Sequence, residues 1–156
     1  SIVVGKIEPR KRQAHLQKQD LRIDFVGNVS DQSFDTSDSS YLGEQSKQDI
    51  MDNLTAYANM VLLSSGEAHP FVCLEGLAAG LGLVLSEQST ANLDVSQPFI
   101  TVIPDDKIND FDYLREKIED NRMISLGMRH KIRQYCYENF DWFKIIKKYK
   151  EIINSI

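Results

Sequence analysis

MVLLSSGEAHPFVCLEGLAAG, residues 60–80, is the stretch whose reading decides the fold. It opens on Met60–Ser64, an apolar run too short for a helix and bounded by Ser and Gly, which predicts a buried strand. From Phe71 to Ala79 the chain is apolar on nearly every side except at Glu75, and Gly80 follows as a stop, so a short buried helix is expected. The small residues Gly76, Ala78 and Ala79 would let that helix lie close against a sheet.

The same texture continues on both sides. Apolar runs rich in Val, Ile and Phe recur at Ile2–Gly5, Arg22–Gly27, Gly82–Ser86 and Ile100–Ile103, and between them Ile50, Leu54 and Tyr57 share one helical face. Strand alternating with helix predicts an α/β fold, a doubly wound parallel sheet with helices on both faces. Asn28 to Gln45 is dense in Ser, Asp and Gly, has no apolar period, and reads as a long loop suited to binding. After Pro104 the chain turns helical, with one amphipathic helix through Phe111, Leu114 and Ile118 and a second through Ile124, Met128, Ile132 and Cys136. A third, through Trp142, Ile145, Tyr149 and Ile152, is flanked by Ile146, Ile153 and Ile156, with Lys144, Lys147, Lys148 and Lys150 opposite. Packing on its own domain is expected for that stripe, and a partner domain is the alternative.

Composition bounds the function. At 156 residues a single domain is expected, and 42% hydrophobic with 26% charged residues is ordinary for a globular protein. A net charge of −5 leaves no domain-wide footprint for nucleic acid, so any anion site must be local. Cys73 and Cys136 lack ligand spacing and read as buried thiols in a reducing, cytoplasmic setting. No run approaches the roughly 20 apolar residues of a membrane span. The chain begins with Ser1 and enters a strand at once, as expected of a piece cut from a longer protein.

The chemistry gathers where open parallel sheets hold ligands, at the carboxyl ends of strands. The helix starting near Phe71 brings free backbone N–H groups and a positive dipole end, a place for a phosphate or pyrophosphate, with Glu67 just before it. An ionised carboxylate buried without partners is penalised by several kcal/mol, so Glu75 must be exposed or hydrogen-bonded, and ligand hydroxyls would satisfy it. Lys6 and Lys11 flank the turn after the first strand, in VVGKIEPRKRQ, and could complete a phosphate cradle. Blander readings stand beside these, with Glu75 a solvated helix glutamate, the lysines a solvated face and His69 a loop residue.

VGKIEPRK followed by SSGEAHPFVCLEGLAAG resembles the carboxyl-terminal domain of retaining glycosyltransferases of the GT-B fold, in the large family 4 group. The signature is two glutamates eight positions apart, here Glu67 and Glu75, and the likeness extends through DFVGNV, LTAYANMVLLSS and the terminal FDWFKIIKKY. The resemblance implies a Rossmann-like domain forming one half of a GT-B enzyme, the amino-terminal acceptor half lying outside this chain. It implies that Lys6 and Lys11 hold the diphosphate of a nucleotide-sugar donor, and that Glu75 accepts hydrogen bonds from the ribose. Glu67 would lie beside the donor sugar, while backbone N–H groups of Phe71 and Val72 meet the phosphates. The sugar would pass with retention to an acceptor hydroxyl without a metal cofactor.

Three departures accompany the likeness. Lys6 stands where Arg is commoner, Pro70 where Gly is frequent, and Gly82 where Pro is frequent, the last a change expected to be mild. The rival class is a Rossmann-like module that binds a nucleotide or a partner without turnover. No G-x-G-x-x-G follows the first strand, which argues against a dinucleotide-binding enzyme.

Overall fold

A computed structural model of the chain describes residues 1–67 and 70–154, apart from the side chain of residue 148. Five strands, β1 (Ile2–Val4), β2 (Asp24–Val26), β3 (Asn59–Leu62), β4 (Gly82–Ser86) and β5 (Ile100–Ile103), form one sheet in the order β2-β1-β3-β4-β5. Every pairing is parallel. All five expected strands are present; β2 starts later than its apolar run because Arg22 sits in the left-handed region at φ 51°.

Alternation along the strands builds two cores. Val3, Phe25, Val61, Val84 and Ile103 point to one face, and Val4, Val26, Met60, Leu62, Leu83 and Leu85 to the other. On the first face lies α1 (Gln13–Gln17), a single short helix unmarked by any sequence period, which contributes Ala14 and Leu16. On the second lie α2 (Lys47–Asn53) and α3 (Phe71–Ala79). Ser46 caps α2, its hydroxyl accepting from the Asp49 N–H at 3.1 Å. Gly80, at φ 85°, ends α3. A Cβ on Gly76 would stand 3.3 Å from the Met60 thioether, so close packing of α3 on the sheet does rest on that glycine. Ala79 is half-buried and packs against the same core, whereas Ala78 is exposed.

The two helices expected after Pro104 are one. The helix α4 (Phe111–Phe140) runs unbroken for 30 residues, and its Leu114 and Ile118 belong to the first core while Ile132 belongs to the second. Between them the inward positions are Asn121 and Ser125, both fully buried where the helix passes the amino ends of the strands. The Asn121 amide donates to the carbonyls of Leu83 and Phe99 and to the Thr101 hydroxyl, at 3.0–3.1 Å, and its oxygen accepts from Asn59. Polar residues on the buried stripe made a continuous helix look like two.

The loop expected over Asn28 to Gln45 is present but anchored. Phe34 is buried against Phe25 and Tyr41, and Tyr41 bridges to Phe25 at the edge of the sheet. Asp31, Asp35 and Asp38 each accept from the N–H and hydroxyl of the serine two positions on, which holds the turns in shape. The last helix, α5 (Trp142–Asn154), departs from the expected packing. Phe143 is 84% exposed, and Trp142, Tyr149, Ile152 and Ile153 are exposed as well, so much of its apolar stripe faces outward while Ile145 is half-buried. Among the described residues no helix is long and apolar enough to cross a membrane.

Candidate functional site

In the order β2-β1-β3-β4-β5 the chain reverses direction across the sheet between β1 and β3, and a parallel sheet opens a crevice beyond the strand ends at such a point. Two connections meet there, the turn after β1 and the loop from β3 to α3. The strand ends come unusually close. Gly5 lies at φ 132° and Gly27 at φ 146°, and a Cβ on Gly27 would fall 2.1 Å from the Gly5 carbonyl oxygen.

The turn after β1 is held from beneath. Gln13, fully buried, accepts from the Glu8 N–H at 3.1 Å and donates to the Lys6 carbonyl at 3.0 Å. A tight turn over Pro9–Lys11 then aims Lys11 back towards β1, its Nζ only 3.2 Å from where a Gly5 Cβ would be. On the other side Ser64 is buried, its carbonyl accepting from the Ser86 hydroxyl, and Ser65 N–H donates to the Arg10 carbonyl at 2.8 Å.

The result is a cavity of about 310 Å³ lined by Val4, Gly5, Lys11, Glu67, Pro70, Phe71, Val72 and Glu75. It brings together five of the six sequence-nominated residues. Lys11 and Glu67 form an ion pair at 3.8 Å, and both side chains are largely buried, at 15% and 17% exposure. Glu75, one third exposed, meets Lys47 at 3.4 Å, so it satisfies the requirement that it be exposed or paired. Phe71 and Val72 begin α3 behind Pro70, whose side chain offers no cap, so the positive dipole end of the helix faces the cavity. Lys6 is exposed on the rim and does not line the cavity. His69 falls outside the described residues.

Burial pushes the Cys73 thiol up to about 12; the negative charge of Glu67 adds to this and Lys11 opposes it. Cys73 is therefore a neutral core residue of α3, as expected, while Cys136 is only half-buried and donates weakly to the Leu74 carbonyl. No group of three or more His, Cys, Asp and Glu side chains among the described residues is placed to hold a metal ion. A larger cavity, about 500 Å³, lies elsewhere, between α2, α3 and the end of α4. It is almost wholly apolar, touches the charged cavity only through Phe71 and Glu75, and carries no chemistry of its own.

Two cations were missed in sequence. Arg10 reaches Glu67, and Lys47 reaches Glu75. A signal existed for Lys47, because it opens a helix, where the dipole disfavours a cation and a carboxylate partner is to be expected. Arg10 carried none, being one of three consecutive basic residues.

No protein-family profile matches this chain, and no curated protein matches it. Solved structures do. Anabaena HepE in complex with UDP superposes with a TM-score of 0.72 at 14% identity, covering 99% of this chain and 49% of that one. The pneumococcal O-GlcNAc transferase GtfA, in complex with UDP and GlcNAc, gives 0.67 at 17%, covering 99% and 35%. The catalytic domain of a cholesterol-α-glucosyltransferase from Helicobacter pylori gives 0.62 at 13%, covering 88% of this chain and 97% of that one. Against HepE and GtfA the chain therefore spans between a third and a half of the relative's length. The fold is the Rossmann-like domain found in these glycosyltransferases.

Proposed function

We propose that this chain is the donor-binding half of a retaining glycosyltransferase of the family 4 kind, taking a nucleoside diphosphate sugar. The observation that carries the reading is the single cavity at the β1/β3 switch point, lined by Lys11, Glu67, Glu75 and the start of α3. A diphosphate would lie between Lys11 and the N–H groups of Phe71 and Val72, the cation and the dipole end sharing its charge. The ribose hydroxyls would displace Lys47 from Glu75. That exchange is cheap, because Lys47 is 77% exposed and an exposed ion pair contributes only about 0–1 kcal/mol. Glu67 would face the sugar. Lys6, exposed beside Gly5 and outside the cavity lining, would add long-range attraction to the diphosphate.

In the proposed reaction the bond between the anomeric carbon and the diphosphate oxygen breaks, the oxygen keeping the electron pair. An acceptor hydroxyl then bonds to the same face of the anomeric carbon and gives its proton to the departing diphosphate oxygen. Lys11 and the helix terminus would stabilise charge developing on the leaving diphosphate, a contribution larger in the transition state than in the bound donor. We assign this work to side chains and backbone, with no metal cofactor.

The acceptor site would belong to a second, amino-terminal half. The exposed Trp142, Phe143, Tyr149 and Ile153 of α5 support this division, since large apolar side chains grouped on one surface suit contact with another domain. Alone, the chain is expected to bind donor weakly and to show little transfer. Titration calorimetry with UDP, ADP, GDP and their glucose conjugates tests the reading; robust turnover by the isolated chain would contradict the two-half assignment.

A further inference from the structure

We propose that Arg10 is the positioning residue for Glu67, an inference that rests on the donor-half reading above. Its guanidinium Nη1 addresses three acceptors on one loop: the Ser64 hydroxyl at 3.3 Å, the Gly66 carbonyl, and Glu67 Oε1 at 3.3 Å. Its Nε is meanwhile paired with Glu8 at 2.9 Å, and its carbonyl accepts the Ser65 N–H. One residue thus joins the turn after β1 to every residue of the described loop from Ser64 to Glu67. Only a planar fork can do this, because the guanidinium sends hydrogen bonds in two directions at once and an ammonium group at one point cannot.

The division of labour between neighbouring cations follows from distance. Lys11 approaches the same Oε1 at 3.8 Å, beyond a good hydrogen bond, from a buried position beside Gly5. That contact is loose enough for a diphosphate to take over. Arg10 is anchored behind by Glu8 and stays with the carboxylate when Lys11 turns to the donor. With Oε1 held by the clamp, the second oxygen of Glu67 is the one that meets a sugar hydroxyl. Arg10 is half-exposed, so its pairs add little to stability, and their consequence is orientation.

The test uses the full-length protein and Arg10→Met, Arg10→Lys, Glu67→Gln and Arg10→Met/Glu67→Gln variants. They are titrated with UDP, ADP, GDP and the glucose and N-acetylglucosamine conjugates of each. Arg10→Met is expected to leave the affinity for the preferred diphosphate within about twofold and to weaken its sugar conjugate by about tenfold, since orientation alone can carry factors of that size. Arg10→Lys should recover part of the loss, and the double variant should lose no more than Glu67→Gln alone. Equal weakening of diphosphate and sugar conjugate, no weakening of either, or additive losses in the double variant would overturn the assignment. If the unaltered protein binds none of the probes, the donor-half reading fails and the role of Arg10 falls with it. If it binds them and only Arg10→Met is without effect, the reading stands and this inference alone is lost.

Discussion

Replacing Gly82 with alanine should destabilise the domain severely while leaving the ligand site intact. A Cβ there would lie 1.9 Å from the Ser125 hydroxyl oxygen, 2.7 Å from Asn121 Oδ1 and 3.0 Å from the Phe99 carbonyl oxygen. None of the three can simply retreat. Phe99 is backbone, and the Asn121 amide is pinned by three acceptors; Ser125 donates to the Asn121 carbonyl at 2.6 Å. Overpacking contributes about 1–3 kcal/mol. Each buried hydrogen bond forced open adds about 1–3 kcal/mol, so a loss of about 2–5 kcal/mol is expected. For a domain of this size that is a fall in Tm of about 5–15 °C, readable by calorimetry or circular dichroism. Adding Ser125→Gly should return part of it. Nucleotide affinity of the folded fraction should stay within about twofold, because Gly82 lies at the amino ends of the strands and ligands bind at the carboxyl ends. A shift of Tm below about 2 °C would refute the packing described around Asn121. Proline would meet the same wall and would also lose the N–H that Gly82 donates to Ala58 at 3.1 Å.

Gly5→Ala should weaken diphosphate binding by about tenfold, through left-handed strain of about 1–3 kcal/mol and displacement of Lys11, and the titration compares it with the unaltered chain. Lys11→Met should weaken the same binding far more than Lys6→Met, because only Lys11 lines the cavity, and equal effects would contradict the placement of Lys6 on the rim. Burial holds the Cys73 thiol up at about 12 in the fold, above an ordinary thiol, so the unfolded chain gives up its proton first. Stability from this group is complete below pH 9 and is lost as pH rises towards 12; denaturant unfolding across that range should show the decline, and Cys73→Ala should flatten it. Phe143→Lys, at a position 84% exposed, should leave the melting temperature of the chain within about 2 °C yet reduce transfer by the full-length protein.

The sheet was legible because its strands are buried on both faces and read as short continuous apolar runs. Residues 60–80 alone announced strand, turn and helix. What escaped was polar and buried. Asn121 and Ser125 interrupt an apolar stripe that in fact continues, since Asn121 is satisfied by Leu83, Phe99 and Thr101, residues far off in sequence, and the Ser125 hydroxyl donates to the Asn121 carbonyl one turn back. The small helix α1 has too few turns to show a period. Phe34 and Tyr41 anchor the long loop as isolated aromatics, which no periodicity can reveal. In the candidate site, Glu67, Glu75, Lys11 and the start of α3 were nominated from strand-end position and from the resemblance to glycosyltransferases, and one cavity brings them together. Lys6 was nominated from its place in the turn after the first strand and from the same resemblance, and its side chain is exposed outside the cavity lining. Arg10 and Lys47 were invisible because an ion pair is written in space, and their partners lie 57 and 28 residues away in the chain.

Titration calorimetry of the unaltered chain and of Glu75→Ala against UDP, ADP and GDP tests the central claim most directly. The account predicts saturable binding that prefers one base and weakens by about 1.5–3 kcal/mol in the variant, the range for hydrogen bonds to a charged group. Binding that Glu75→Ala leaves unchanged, or no binding even by the full-length protein at millimolar nucleotide, would contradict it.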